Sequence, residues 1–289
     1  MSAGPDGLAV IDKPAGWTSH DVVARLRKVL GTRKVGHAGT LDPSATGVLL
    51  VGVGRATRLL RFITPLRKIY TGEIVLGVET TTLDADGDVT ETHEMSGITV
   101  EAAREAAQGL TGEILQVPPM VSALKVGGRR LHELAREGIE VEREARPVTV
   151  HRFDLESVEG EPLLLAAEVE CSSGTYVRTL AADLGTALGG GAHLRNLRRT
   201  SIGSFTLSEA HPVDEPVLLS PAEALRDYRS IVVDADLARL VGHGRVLDRD
   251  DLGVDDDGPW PVVGPDGALL AVYEPGSGGR LKPGVVLVG

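Results

Sequence analysis

Apolar positions along the chain follow two rhythms. The continuous runs LAVID (8–12) and VLLVGV (48–53) predict short buried strands. Tyr70, Ile74, Leu76 and Val78 share one side of an alternating segment, which predicts a strand with Tyr70 at its opening edge. Helical spacing takes over elsewhere. Val22, Leu26, Val29 and Leu30 recur on one face after Ser19, predicting a helix capped by Ser19 and closed before Gly31. A helix starts near Val100, and another buries Val177, Leu180, Ala181 and Leu184 after a Ser-Ser-Gly turn. Strands are expected at 113–117, 147–158, 162–171 and about 201–207, and a capping-box helix at Ser220, Pro221 and Glu223. The segment LVGVGRATR reads as a strand-to-helix turn, because Thr57 stands where a dinucleotide fingerprint needs its third glycine. Residues 125–147 form a charged excursion, read as a protruding arm whose centre is a short helix ended by Gly138. After the acidic tract at 248–258, short strands such as ALLAVYE and VVLVG predict a small β domain. Without regular βαβ alternation, the fold class is α+β.

Only 3% of the 289 residues are aromatic, so the core rests on Val, Leu, Ile and Ala, and Tyr70 and Tyr176 become candidates for a task. A single cysteine, Cys171, rules out an internal disulfide. No run of eighteen apolar residues and no charged-then-apolar leader occurs, so no membrane role and a cytoplasmic location are expected. The net charge of −11 is unevenly spread: residues 1–70 carry +7, residues 176–205 carry +3 and residues 71–118 carry −9. A basic face on an acidic body steers phosphate backbones, while the same clustering also fits solvated helix faces.

Asp42 is the one carboxylate in GHAGTLDPSATG (36–47), a stretch of Gly, Pro and small side chains that does little to bury or pair it locally. Gly36, Gly39 and Gly47 allow unusual backbone angles, Pro43 makes Asp42 extended, and the apolar run at 48 anchors the segment. On its own the stretch reads either as a presented acid or as an Asp-Pro turn. No histidines cluster, one cysteine makes no thiolate site, and no G-x-S-x-G elbow is present.

Five segments in order, GLAVIDKPAGWTS (7–19), KVGHAGTLDPSATGVL (34–49), KIYTGEIVLG (68–77), the PP…K…arm segment at 117–148 and SSGTYVRTLAADLG (172–185), resemble the TruB family of tRNA pseudouridine synthases, which isomerise uridine 55 of the T loop. The likeness covers most of residues 7–207; past about 230 it weakens to a reduced PUA-like tail. It implies a pseudouridine synthase fold, a mixed and largely antiparallel sheet flanked by helices, with a catalytic domain at 1–229, an RNA-clamping arm at about 120–147 and a small β domain at 230–289. It also implies a monomer that binds the T arm of tRNA and needs no cofactor and no metal.

By match to the family's motifs, Asp42 is the catalytic aspartate, Arg178 the arginine that orients it and keeps it charged, and Tyr70 the residue that stacks on the base and helps remove the C5 proton. Tyr176 and Leu197 match positions lining the uracil pocket, and His37 matches a contact to the flipped nucleotide. Asp84 falls in a segment where Thr81 replaces the family's first acid, and Lys13 and Pro14 match a supporting motif. The chemistry is consistent with one carboxylate. Uracil leaves through N1 as a delocalised anion, whereas a glycosidase needs a second, protonated carboxyl to assist an alkoxide. An ionised Asp42 can attack ribose C1′ or act on the base, which must then turn and rejoin through C5 in a site closed to water. An RNA glycosidase and a non-catalytic RNA-binding or RNA-folding protein are the alternatives from other classes; the first would release uracil and the second would not need Asp42.

Overall fold

The computed structural model describes residues 4–122, 124–126, 128–131, 134, 137–139 and 141–287. The apolar runs become central strands. β1 (Gly7–Lys13) is buried along nearly all its length. α1 (Ser19–Val29) follows, then β2 (Val35–Ala38) and β3 (Thr46–Val53), and β3 is antiparallel to both β1 and β2. The cap of α1 is Thr18, not Ser19: the Thr18 side chain accepts from Asp21 N and the Asp21 side chain accepts from Thr18 N. Val22, Val23 and Leu26 form its buried face, and Val29 is exposed.

A 3-10 turn at Gly54–Leu59 leads through α2 (Leu60–Ile63) to β4 (Lys68–Leu76), β5 (Val78–Thr80) and β6 (Val89–Thr92). Tyr70 does not open β4; it is the third residue of a strand flanked on both sides in the sheet. Next come α3 (Val100–Gln108), β7 (Gly112–Gln116) and, in the arm, the short hairpin β8 (Lys125–Val126) and β9 (Arg129–Arg130). The helix expected at the arm's centre falls largely on residues outside those described. β10 (Arg146–Val158), β11 (Glu161–Cys171), α4 (Val177–Ala187), β12 (Ala192–Ile202), β13 (Phe205–Thr206) and β14 (Leu218–Leu219) complete the larger body. The strand expected near 201 begins nine residues earlier. The Ser220 capping box forms, yet only a 3-10 turn at Glu223–Leu225 follows it.

Among the described residues ten strands make one mixed sheet, in the order β14-β1-β3-β12-β4-β11-β10-β7, with β2 and β13 attached. Every pairing is antiparallel except β3 with β12, joined at Arg198 with Thr46 and Arg199 with Gly47. The α4 stripe, Val177, Leu180, Ala181 and Leu184, packs with α3 on the sheet side that buries Tyr70, Ile74 and Val169. A second sheet follows from β15 (Ile231–Val232), with α5 (Ala235–Gly242), α6 (Arg249–Leu252), β16 (Trp260–Val263), β17 (Leu269–Pro275) and β18 (Leu281–Val286). Its two faces hold different residues, a register shift at Val262/Val263 placing Leu269 and Val272 on one side although they are three positions apart. Leu269, Val272 and Val285 join the core holding Leu8 and Phe62, while Trp260, Ala271 and Tyr273 pack with Val241 of α5 and Leu252 of α6.

Part of the basic N-terminal segment is spent on this contact. Arg55 and Arg58 donate to the carbonyls of Leu287 and Val286 at 2.7 and 2.6 Å, and Arg61 pairs with Glu274. The +7 of residues 1–70 therefore does not all face outward. Lys28, Arg33 and Lys34 do lie on the surface. No helix among the described residues is long and apolar enough to cross a membrane.

Candidate active site

The only stretch of 36–47 that is not strand is 39–45, the connection from β2 to β3, and Asp42 stands at its middle. Four separate anchors hold it. Ser19, freed from capping, is buried and bonds both ends of Leu41, accepting from its N–H at 2.9 Å and donating to its carbonyl at 3.2 Å. Lys13 Nζ donates to Pro43 O at 3.1 Å and also to Pro14 O and Trp17 O. Gly16 N donates to Pro43 O, and Arg199 Nη2 to Gly39 O at 3.1 Å. Gly39 and Gly47 take φ of +80° and +100°, whereas Gly36 is an ordinary residue of β2. At Gly47 a Cβ would lie 2.1 Å from Arg199 O, so the parallel junction itself requires glycine.

α4 delivers Arg178 to this loop. The Arg178 side chain is 5% exposed, and its guanidinium contacts two carboxylates, Nη2 to Asp42 Oδ2 at 2.9 Å and Nη1 to Asp84 Oδ2 at 3.2 Å. It also donates to Thr82 O and Val121 O, which tie it to the β5–β6 loop and to the base of the arm. Burial raises the Asp42 pKa above the ordinary value, and the pull of Arg178 offsets this only in part; Asp84 adds to the rise and Lys13 opposes it. The expectation that Arg178 holds Asp42 low thus meets a stronger opposing cause. The local sequence does not bury Asp42; the remote segments do. Its side chain nonetheless keeps 39% exposure, toward a pocket.

That pocket, about 270 Å³, brings Asp42, Tyr70, Tyr176, Arg178 and Leu197 together, with Lys68 and Arg199. Tyr70 is buried, which raises its pKa against the pull of Arg199. Tyr176 precedes α4, and its peptide is clamped by Gln116: Tyr176 N donates to Oε1 at 2.7 Å and Gln116 Nε2 donates to Tyr176 O at 3.1 Å. Leu197 owes its position to an irregularity in β12. The register against β4 shifts between Arg195 and Arg198, and Asn196 adopts φ +54°. Glu73 fixes this bulge by accepting from Arg195 Nε at 2.5 Å and from Asn196 Nδ2 at 2.9 Å. A second cavity of about 300 Å³ shares Asp42, Arg178 and Leu197 and reaches Asp84, Arg195 and Asn196.

Two candidates stand apart. Asp84 does not line the first pocket but braces Arg178 from the second. His37 lies on β2 outside the lining of both, ring centroid 5.4 Å from His20, and burial pulls its pKa down to about 4. Ser19, Gln116, Glu73 and Arg199 escape a reading of residues, since each acts through contacts tens of positions away. Lys13, matched only as support, is fully buried, and desolvation takes its pKa down to about 8, a cost of roughly 3 kcal/mol relative to water.

The fold is that of the pseudouridine synthases: the chain overlays a protein in the crystal structure of a Cbf5-Nop10-Gar1 complex with TM-score 0.67 and 26% identity, over 93% of this chain and 78% of that one. Residues 27–177 match the profile of the TruB family pseudouridylate synthase N-terminal domain, residues 178–227 the tRNA pseudouridylate synthase B C-terminal domain, and residues 228–288 the tRNA pseudouridine synthase II C-terminal region. Relatives called tRNA pseudouridine synthase B include one from Mycobacterium sp. (strain KMS), 49% identical over 97% of this chain and 96% of its own, and one from Thermobifida fusca (strain YX), 46% identical over 98% and 99%. The chain belongs to the TruB family of pseudouridine synthases.

Proposed function

We propose that this chain isomerises uridine 55 in the T loop of tRNA to pseudouridine, with Asp42 as the catalytic carboxylate acting on a flipped-out base. The observation that carries the reading is the Arg178–Asp42 pair, 2.9 Å apart, opening into a pocket walled by Tyr70, Tyr176 and Leu197. At about 270 Å³ the pocket is smaller than most sites for drug-sized ligands, which suits one unstacked base.

In this reading Arg178 orients Asp42 and Asp84 orients Arg178. Tyr70 stacks on the uracil and assists at C5, Tyr176 and Leu197 enclose the ring, and His37 meets the nucleotide outside the pocket. Residues 1–229 form the catalytic unit with its arm at about 120–147, and residues 230–289 a PUA-like unit. The enzyme works in the cytoplasm as a monomer. The test is to incubate the protein with uridine-labelled T-arm RNA and separate the nucleosides. Pseudouridine without free uracil is expected; free uracil would make the chain a glycosidase, and no change in the label would remove the assignment.

A further inference from the structure

Four cations lie buried around the pocket, Lys13, Lys68, Arg178 and Arg199, yet among the described residues only Asp42 and Asp84 form ion pairs with any of them, both with Arg178. Arg178 is matched by both Asp42 and Asp84, and Lys13 lies behind Asp42. Lys68 and Arg199 form no ion pair among the described residues. Lys68 Nζ donates to Thr64 O at 2.9 Å and to Leu66 O at 2.7 Å, which occupies two of the three N–H donors of an ammonium. Arg199 is fully buried and donates to Val48 O and Gly39 O, its guanidinium beside the Tyr70 ring. Across the sheet Lys68 faces Cys171, a neutral thiol whose pKa burial pushes up to about 11. Carbonyl dipoles soften a buried charge but do not neutralise it. The strain shows in Lys68 itself, where desolvation and the neighbouring Arg199 bring the pKa down to about 8.

Two cations without a counter-ion at the floor of a reaction pocket are arranged for a negative charge that arrives with the substrate or forms during the reaction. The phosphates of the RNA are anionic, but a pocket of about 270 Å³ suits the base alone, which enters neutral, so a charge meeting these cations inside it forms during the reaction. We infer that Lys68, backed by Arg199, stabilises the uracil anion released when the glycosidic bond breaks, and is a catalytic residue of this site. The inference rests on the function proposed above. Written for attack by Asp42, the C1′–N1 bond breaks and its electron pair stays on the base, spread over N1, O2 and O4, as a carboxylate oxygen bonds C1′. On return C5 bonds C1′ and the carboxylate leaves; the C5 proton is then lost and N1 takes one up, so no proton is gained or lost overall. The anion between these steps is the species a preorganised ammonium favours over the ground state.

The test compares Lys68→Met and Lys68→Gln with wild type in single turnovers on T-arm RNA carrying uridine or 5-fluorouridine at the target, following loss of the target nucleoside. Lys68→Gln keeps a donor for the Thr64 or Leu66 carbonyl while removing the charge, which covers the case in which Lys68→Met does not fold. Removing one such donor is expected to slow uridine turnover by about 10²-fold with RNA affinity kept. On 5-fluorouridine, whose fluorine already stabilises the departing anion, the loss should shrink by about tenfold. A purely structural lysine would impair both substrates equally, and equal impairment, or a Lys68→Gln rate equal to wild type, overturns the inference. A wild-type protein that forms no pseudouridine would instead overturn the function beneath it.

Discussion

Arg178 Nη2 meets Asp42 Oδ2 at 2.9 Å while Nη1 meets Asp84 Oδ2 at 3.2 Å, so one planar cation fixes two carboxylates from different loops. The geometry depends on the guanidinium fork, because the same two nitrogens also donate to Thr82 O and Val121 O.

Arg178→Lys keeps a charge but offers a single nitrogen, and it is expected to lower kcat by about 10²-fold. The sign is carried by the pH profile of Arg178→Gln, which removes the charge: burial raises the Asp42 pKa and the Arg178 cation pulls it back, so loss of that pull moves the acidic limb of the rate profile to higher pH. An unshifted limb would show that Arg178 does not govern the ionisation of Asp42.

Gly47→Ala places a methyl 2.1 Å from Arg199 O at φ +100° and is expected to destabilise by about 3 kcal/mol or more, a fall of roughly 10 °C in Tm. Gly160→Ala serves as control, having φ +78° but open space around it, and should cost about 1 kcal/mol. Equal losses in the two variants would mean that the junction of β3 and β12 tolerates a side chain.

Asn196 supplies the left-handed residue that turns Leu197 toward the pocket. Asn196→Gly preserves that backbone and should keep most of the activity. Asn196→Val, branched at a positive φ, should lose about 10²-fold as Leu197 shifts. Steady-state rates on T-arm RNA distinguish the two, and equal rates would detach the bulge from function.

His37 has its pKa pulled down to about 4, against an ordinary value near 6.5. The unfolded chain therefore binds the proton first, and the His37 contribution to stability, complete above about pH 6.5, is lost as pH falls toward 4. The buried Asp42 works in the opposite direction, since its raised pKa makes the folded chain take up a proton. Urea melts of wild type and His37→Gln between pH 4 and 7 isolate the histidine: the variant should lose less stability on acidification, and parallel curves would contradict the assignment.

What the residues announce by themselves is what local periodicity controls: the buried run of β3, the Tyr70 face of β4 and the α4 stripe all lie where their spacing puts them. Asp42 stands out because its neighbours have so little chemistry of their own. β12 does not announce itself, since His193, Arg195, Asn196, Arg198 and Arg199 interrupt any apolar alternation, and its polar residues are satisfied by distant partners such as Glu73, Asp12 and Val48 O. Ser19 reads as a cap because caps are local, while its actual bonds to Leu41 span twenty-two positions. The expected helix after Ser220 forms its capping box and then stops as a short turn whose Ala224 and Leu225 are committed to the core beneath the second sheet. The basic N-terminal segment looks like an outward face, yet Arg55, Arg58 and Arg61 are used to hold the C-terminal strands.

The most direct measurement is conversion of uridine in T-arm RNA by wild type and Asp42→Asn at equal concentration, with RNA binding measured on the same preparations. The asparagine nearly matches the carboxylate in shape and still fits beside Arg178, so the fold and RNA affinity should persist while pseudouridine formation falls below detection. Pseudouridine forming at the wild-type rate in Asp42→Asn would contradict the account.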